Sequence, residues 1–149
     1  MKMDLVVAGY IFNGDKVLLV HHKKLDLWLP VGGHINQDET PNDALLREIK
    51  EETGLDIEIL GSNGVPLIGN ATKNLTAPFH VNVHPAKDHE HCCFFYACRE
   101  LDADKLSLNG ELKNFGWFSK KELDKEFVPL DVKHIALKAF EIMENKTNL

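Results

Sequence analysis

"GGHINQDETPNDALLREIKEETGL", residues 32–55, is the stretch on which the reading of this chain turns. Thr40-Pro41 is a strong helix start, a side-chain cap followed by proline at the first helical position. Gly54 is a strong stop, since glycine readily takes the left-handed conformation past the last turn. With Glu48 set at zero and about 100° per residue, Leu45, Ile49 and Leu46 fall near 60°, 100° and 160°, a predicted buried stripe. Asp43 and Lys50 fall on the solvent side. Glu51, Glu48 and Glu52 fall near −60°, 0° and 40°, with Arg47 beside them near −100°, at about 100° per residue. A solvated charged face is the ordinary reading of such a run, and here it fits poorly. Glu48 repels Glu51 and Glu52 at three- and four-residue spacing, about 0.2–0.5 kcal/mol per pair. Glu51 and Glu52 also sit at the negative end of the helix dipole. A divalent cation in that sector resolves the conflict, and hard oxygen donors favour Mg²⁺ or Mn²⁺ over Zn²⁺.

Working outward, composition narrows the classes. The chain has 149 residues, 44% hydrophobic, with net charge −6 and a pI near 5.7. One globular domain over residues 1–149 is expected, large enough to bury a core. The acidic balance and only two arginines, Arg47 and Arg99, argue against binding a nucleic-acid polymer. A small phosphorylated substrate remains open, because a cation can bridge carboxylate and phosphate. The N-terminal stretch breaks at Asn13–Lys16 and lacks the continuous apolar region of a secretion signal. No apolar run is long enough to span a membrane. Cys92, Cys93 and Cys98 lie in the apolar run "HCCFFYAC" and read as reduced core thiols. The expected setting is cytoplasmic.

"LVVAGYIF" and "KVLLVHH", joined by Asn13-Gly14-Asp15, predict a β-hairpin. "LWLPVGGH" predicts one short strand ending in glycines, and "LDIEIL" (55–60) a strand after the helix. Residues 61–74 carry glycine, asparagine and proline at loop density. "FHVNVH" and "HCCFFYACRE" predict two strands separated by the turn "PAKDHE", and "NFGWFS" another. "SKKEL" predicts a short helix with Ser119 and Glu122 as a capping pair. A final helix is expected over about 132–143, with Asp131 as its N-cap and Ile135, Ala136, Ala139, Phe140 and Met143 on one stripe. Strands interleaved with few helices predict an α/β layered domain with a mixed sheet.

Gly33, five residues, Glu39, seven residues, then Arg47-Glu48-Ile49-Lys50-Glu51-Glu52-Thr53-Gly54-Leu55 resembles the Nudix box of the Nudix hydrolase superfamily at every specified position. The resemblance implies a Nudix-type α/β/α sandwich with a mixed β-sheet. It also implies Mg²⁺- or Mn²⁺-dependent hydrolysis of a pyrophosphate bond in a nucleoside diphosphate linked to another moiety. By the same resemblance Glu51 and Glu52 are the principal metal ligands, and Glu48 is a further ligand or general base. Glu39 lies close to the metal, often reaching it through water. Arg47 orients the glutamates by ion pairing, and the Gly32 carbonyl is a candidate ligand. The reaction implied has metal ions bridging carboxylates and phosphate oxygens while a glutamate takes a proton from an attacking water. The partner expected is a small-molecule nucleotide, with a homodimer allowed and neither nucleic-acid polymer nor membrane. A catalytically idle domain that binds nucleotide for regulation is the alternative, against which the intact set of box glutamates argues.

Signals outside the box are weaker. Glu111, six residues before Trp117, matches where some family members place an additional loop glutamate, as a metal ligand or base; a plain surface acid fits equally. His21, His22, Lys23 and Lys24 end the second strand, where family members often contact substrate phosphate; a solvated basic turn fits equally. His80, Asn82 and His84 alternate on one strand face, with His89 and His91 nearby; they line a substrate pocket or form a polar exposed face. The box glutamates already account for metal, so the sequence gives little reason to add a histidine zinc site. Trp28 and Phe118 read as core or rim aromatics. Marks of the ADP-ribose and dinucleotide-polyphosphate subgroups would fall at Ala71 and Lys73 and are absent, and no coenzyme A signature is evident. The short chain favours a compact nucleotide such as a nucleoside triphosphate.

Overall fold

The computed structural model of the chain describes residues 2–62, 64–110 and 112–147. Its centre is two long strands lying parallel, β1 (Met3–Asn13) and β7 (His89–Glu100), paired from Met3↔Glu90 to Phe12↔Arg99. Their middle stretches, residues 6–12 and 93–98, are apolar throughout because they are covered on both faces, the condition under which strands lose their polar alternation. Val6, Ala8, Tyr10 and Phe12 point to one side of the sheet, and Val7 and Ile11 to the other. The Asn13–Lys16 turn leads to β2 (Lys16–His22), with Gly14 at φ 62° as a tight hairpin turn requires.

"LWLPVGGH" is two strands and not one. Pro30 separates β3 (Leu27–Leu29), which pairs with β2, from β4 (Val31–His34), which pairs antiparallel with β1. Next come α1 (Pro41–Thr53), β5 (Ile57–Leu60) and β6 (His80–Ala86). β5 and β6 share the free edge of β7, at its C-terminal and N-terminal halves respectively. The turn between β6 and β7 narrows to Lys87-Asp88, with Lys87 at φ 56°. β8 (Leu112–Phe118) pairs with β2. The "SKKEL" segment winds as a 3₁₀ turn, with Ser119 and Glu122 exchanging backbone-to-side-chain hydrogen bonds of 3.1 and 3.2 Å. α2 runs Leu130–Thr147, so Asp131 lies inside its first turn and is not the N-cap.

The two helices cover opposite faces. α2 supplies Val132, Ile135, Ala136, Ala139, Phe140 and Met143 to a core with Val6, Tyr10, Phe12 and Phe95. α1 supplies Ala44, Leu45 and Ile49 to a second core with Val7, Ile11, Leu18 and Tyr96. This is the expected α/β/α sandwich around a mixed sheet. Trp28 packs at the rim of the first core against Phe118, with ring centroids 5.7 Å apart. Cys93 and Cys98 are buried free thiols and Cys92 a half-buried one; burial pushes the Cys93 thiol up to about 12. Among the described residues no helix is long and apolar enough to cross a membrane.

Candidate active site

α1 is capped as its sequence requires. Thr40 Oγ1 accepts from the Asp43 amide at 3.1 Å, and Gly54 at φ 73° donates to the Lys50 carbonyl at 2.9 Å. The predicted stripe is half right: Leu45 and Ile49 are fully buried, whereas Leu46 is 42% exposed. Thr53, seven residues on from Leu46, is fully buried, and Glu52, 6% exposed, is buried beside the Leu45 side of the stripe. The reason is tertiary. The segment 105–109 crosses the last turn, where the Ser107 and Asn109 amides bond the carbonyls of Thr53 and Glu52 at 2.8 and 3.0 Å. Those contacts satisfy carbonyls that a helix end leaves open, and they cover the side chains there.

Arg47 organises the acids. Its Nε and Nη2 donate to the two oxygens of Glu39 at 2.8 and 3.0 Å. Nη1 donates to Glu48 at 2.9 Å and to Glu51 at 3.2 Å, and Nη2 also reaches the His34 carbonyl at 2.9 Å. One guanidinium thus ties the 35–40 loop, the end of β4 and the acidic face of α1, which lysine's single ammonium cannot do. The Arg47 hydrogen bonds, and then the Asn36 amide, hold the Glu39 carboxyl below the usual range. The pairing with Glu39 in turn raises the Arg47 guanidinium further. Lys50 points away, to Asp56 at 3.1 Å.

Gly33 makes room for Glu48. A Cβ there would fall 2.3 Å from Glu48 Cδ, so any side chain would displace the carboxylate. Gly32 lies so tightly on β1 that its Cβ would fall 2.0 Å from the Val7 carbonyl oxygen. Glu39, Glu48, Glu51, Arg47 and Gly33 therefore converge, with Glu52 buried on the same helix. The donors around this sector are all oxygen, which suits a hard divalent ion.

The remaining expected residues divide between the faces of the sheet. His22 alternates with Leu18 and Val20 onto the α1 side, and Lys23 is exposed beyond the strand end. His80 and His84 stand opposite Phe95 and His91, on the α2 side, and the sheet separates them from the glutamates. His80 opens onto a cleft of about 420 Å³ with Asp131, His134 and Lys138. His84 packs edge-on to His91 with ring centroids 5.3 Å apart. His91 is harder to protonate than usual, by burial first and then by the neighbouring His84, His34 and His89. Glu111 lies outside the described residues. Asp4 and His34, which stand with His89 and His91, were not singled out by sequence; only strand pairing brings them there.

The comparisons agree with this geometry. The NUDIX domain family matches residues 2–138. A crystallised NUDIX-family hydrolase from Clostridium perfringens superposes with a TM-score of 0.81 at 30% identity, over 96% of this chain and 99% of that one. An RNA pyrophosphohydrolase of Pseudomonas putida is 47% identical over 58 residues, 36% of each protein. A protein of Lactococcus lactis described as "Probable DHNTP pyrophosphohydrolase" is 30% identical over 111 residues, 71% of this chain. The matched stretches span 36% and 59% of those two relatives' own lengths. Members of this family generally use a divalent metal such as Mg²⁺ or Mn²⁺ and act on small nucleotide-containing substrates. With the box, the sandwich and the full-length superposition in agreement, the chain belongs to the NUDIX domain family.

Proposed function

We propose that this chain is a metal-dependent pyrophosphohydrolase acting on a compact nucleotide, with a nucleoside triphosphate the favoured substrate. The observation that carries the reading is the set of oxygen donors on α1, arranged by the Arg47 fork around the space left by Gly33. Glu52 lies buried on the same helix, 6% exposed, where a bound cation would offset the cost of an ionised carboxylate. Glu51 and Glu52 would hold Mg²⁺ or Mn²⁺, with Glu48, Glu39 and the Gly32 carbonyl nearby and Glu111 as an outer candidate. Such an ion, when bound, neutralises and polarises the phosphoanhydride oxygens. Glu48, one oxygen of which accepts from Arg47, would take a proton from an attacking water. His22 and Lys23 at the end of β2 are the candidates on this side of the sheet for contacting substrate phosphate; the His80 cleft on the other side is a candidate for the rest of the nucleotide. The free thiols fit a reducing, cytoplasmic setting.

The test is a panel of nucleoside triphosphates and nucleoside diphosphate derivatives, incubated with Mg²⁺ or Mn²⁺ and assayed for phosphate or pyrophosphate release. Metal-dependent turnover of at least one, lost in Glu52→Gln, is expected. Tight nucleotide binding without turnover of any would instead make the domain a binding module.

A further inference from the structure

On the α2 face of the sheet, at the end remote from the core, four side chains turn their ligand atoms toward one point. Asp4 comes from β1, His34 from β4, and His89 and His91 from β7. Strand pairing puts them there: Asp4 stands directly beside His91, and His34 faces Val6, one same-face position along from Asp4. His34 Nε2 lies 3.1 Å from Asp4 Oδ2, His89 Nε2 3.5 Å from the same oxygen, and His89 Nε2 3.1 Å from His91 Nε2. All four ligand atoms lie within 4.8 Å of one another. Among the described residues this is the one group of three or more histidines, cysteines or acids so gathered; the box glutamates are not.

We propose that Asp4, His34, His89 and His91 form a second metal site, selective for a borderline divalent ion of the Zn²⁺ type and separate from the carboxylate site on α1. Tetrahedral ligand bonds of about 2.0–2.1 Å place ligand atoms about 3.3 Å apart, a spacing that the separations of 3.1, 3.1 and 3.5 Å bracket. Three imidazoles and one carboxylate select Zn²⁺ over Mg²⁺, the reverse of the α1 donors. A second observation points the same way. His89 Nδ1 bonds Asp88 Oδ1 at 3.1 Å, which orients the ring with Nε2 toward the cluster, as carboxylates behind zinc-bound histidines do. The remaining groups around the site are His84, edge-on to His91, and Lys2, whose ammonium lies 3.6 Å from Asp4 Oδ1 on a largely exposed side chain. Lys2 can leave when an ion arrives.

Co²⁺ as a spectroscopic probe tests the proposal. The purified chain, held in excess Mg²⁺ to occupy the carboxylates, is titrated with Co²⁺ and then Zn²⁺. One equivalent of Co²⁺ should produce the intense visible bands of a tetrahedral site, and Zn²⁺ should abolish them. Asp4→Asn and His91→Gln, each checked for folding by circular dichroism, should lose the bands. The double variant Glu51→Gln/Glu52→Gln should keep them. The proposal is overturned if the wild-type chain gives no tetrahedral bands, if folded His91→Gln and Asp4→Asn both retain them, or if the glutamate double variant loses them. None of these outcomes depends on turnover, so the result stands apart from the fate of the hydrolase reading.

Discussion

The two faces of the sheet carry opposite solutions to the same problem. On the α1 face, carboxylates that repel one another are held in place by one arginine, with Glu48 and Glu51 on the same guanidinium nitrogen. On the α2 face, three neutral-capable imidazoles close around a single carboxylate, with no arginine among them. The first arrangement spaces its carboxylates around one guanidinium. The second is already near the spacing of a small tetrahedral ion. His34 belongs to both, through its carbonyl on Arg47 and its ring on Asp4. Donor chemistry and spacing, more than the count of charges, separate the two.

The largest effect should come from Glu52→Gln. Turnover should fall at least about a hundredfold, about 2.7 kcal/mol of transition-state stabilisation. Melting temperature without metal should hold or rise, because a buried like charge is removed. Co²⁺ bands from the α2 face should be unaffected, and their loss would mean that the two faces are not independent.

Gly33→Ala is a finer cut. The new methyl meets the end of a movable Glu48 side chain, so the fold should survive. The carboxylate must shift, and the catalytic rate should drop about tenfold or more, about 1.4 kcal/mol. Wild-type kinetics in this variant would show that Glu48 need not sit where it does.

Arg47→Lys keeps the charge and loses the fork. We expect a rate about tenfold lower, about 1.4 kcal/mol. A lower melting temperature should accompany it, since Arg47 also joins the 35–40 loop and β4. Unchanged kinetics with a lowered melting point would make Arg47 a purely structural clamp.

The smallest effect concerns acid. Glu39 has a folded-state pKa below its unfolded one, chiefly through Arg47. Its contribution to stability is therefore present above the unfolded glutamate range and is lost as pH falls through the folded value. Melting curves across that acid window should flatten in Glu39→Gln relative to the parent. Parallel curves for the two proteins would mean that the Arg47–Glu39 pair adds no pH-dependent stability.

The amino-acid sequence by itself determined the acidic helix, its caps and the family, because these depend on residues three, four or seven apart on one continuous segment. The hairpin and the strands β6 and β7 are legible for a similar reason, local alternation and turn residues; the helical cover on both faces follows from the family resemblance. The burial of Glu52 and Thr53 escapes an isolated helical wheel, which cannot know that residues 105–109 cross the last turn; the exposure of Leu46 has no such account. Asp131 is not the N-cap because α2 starts directly after Pro129, at Leu130, two residues before the expected start. Of the histidine cluster, sequence points only to His89 and His91; Asp4 and His34 lie beyond its reach. Asp4, His34, His89 and His91 become neighbours only when β4 and β7 flank β1 in a particular register, and a slip of one residue would turn Asp4 to the other face. Periodicity reveals which residues share a face of one element; only the pairing of distant strands decides which faces meet.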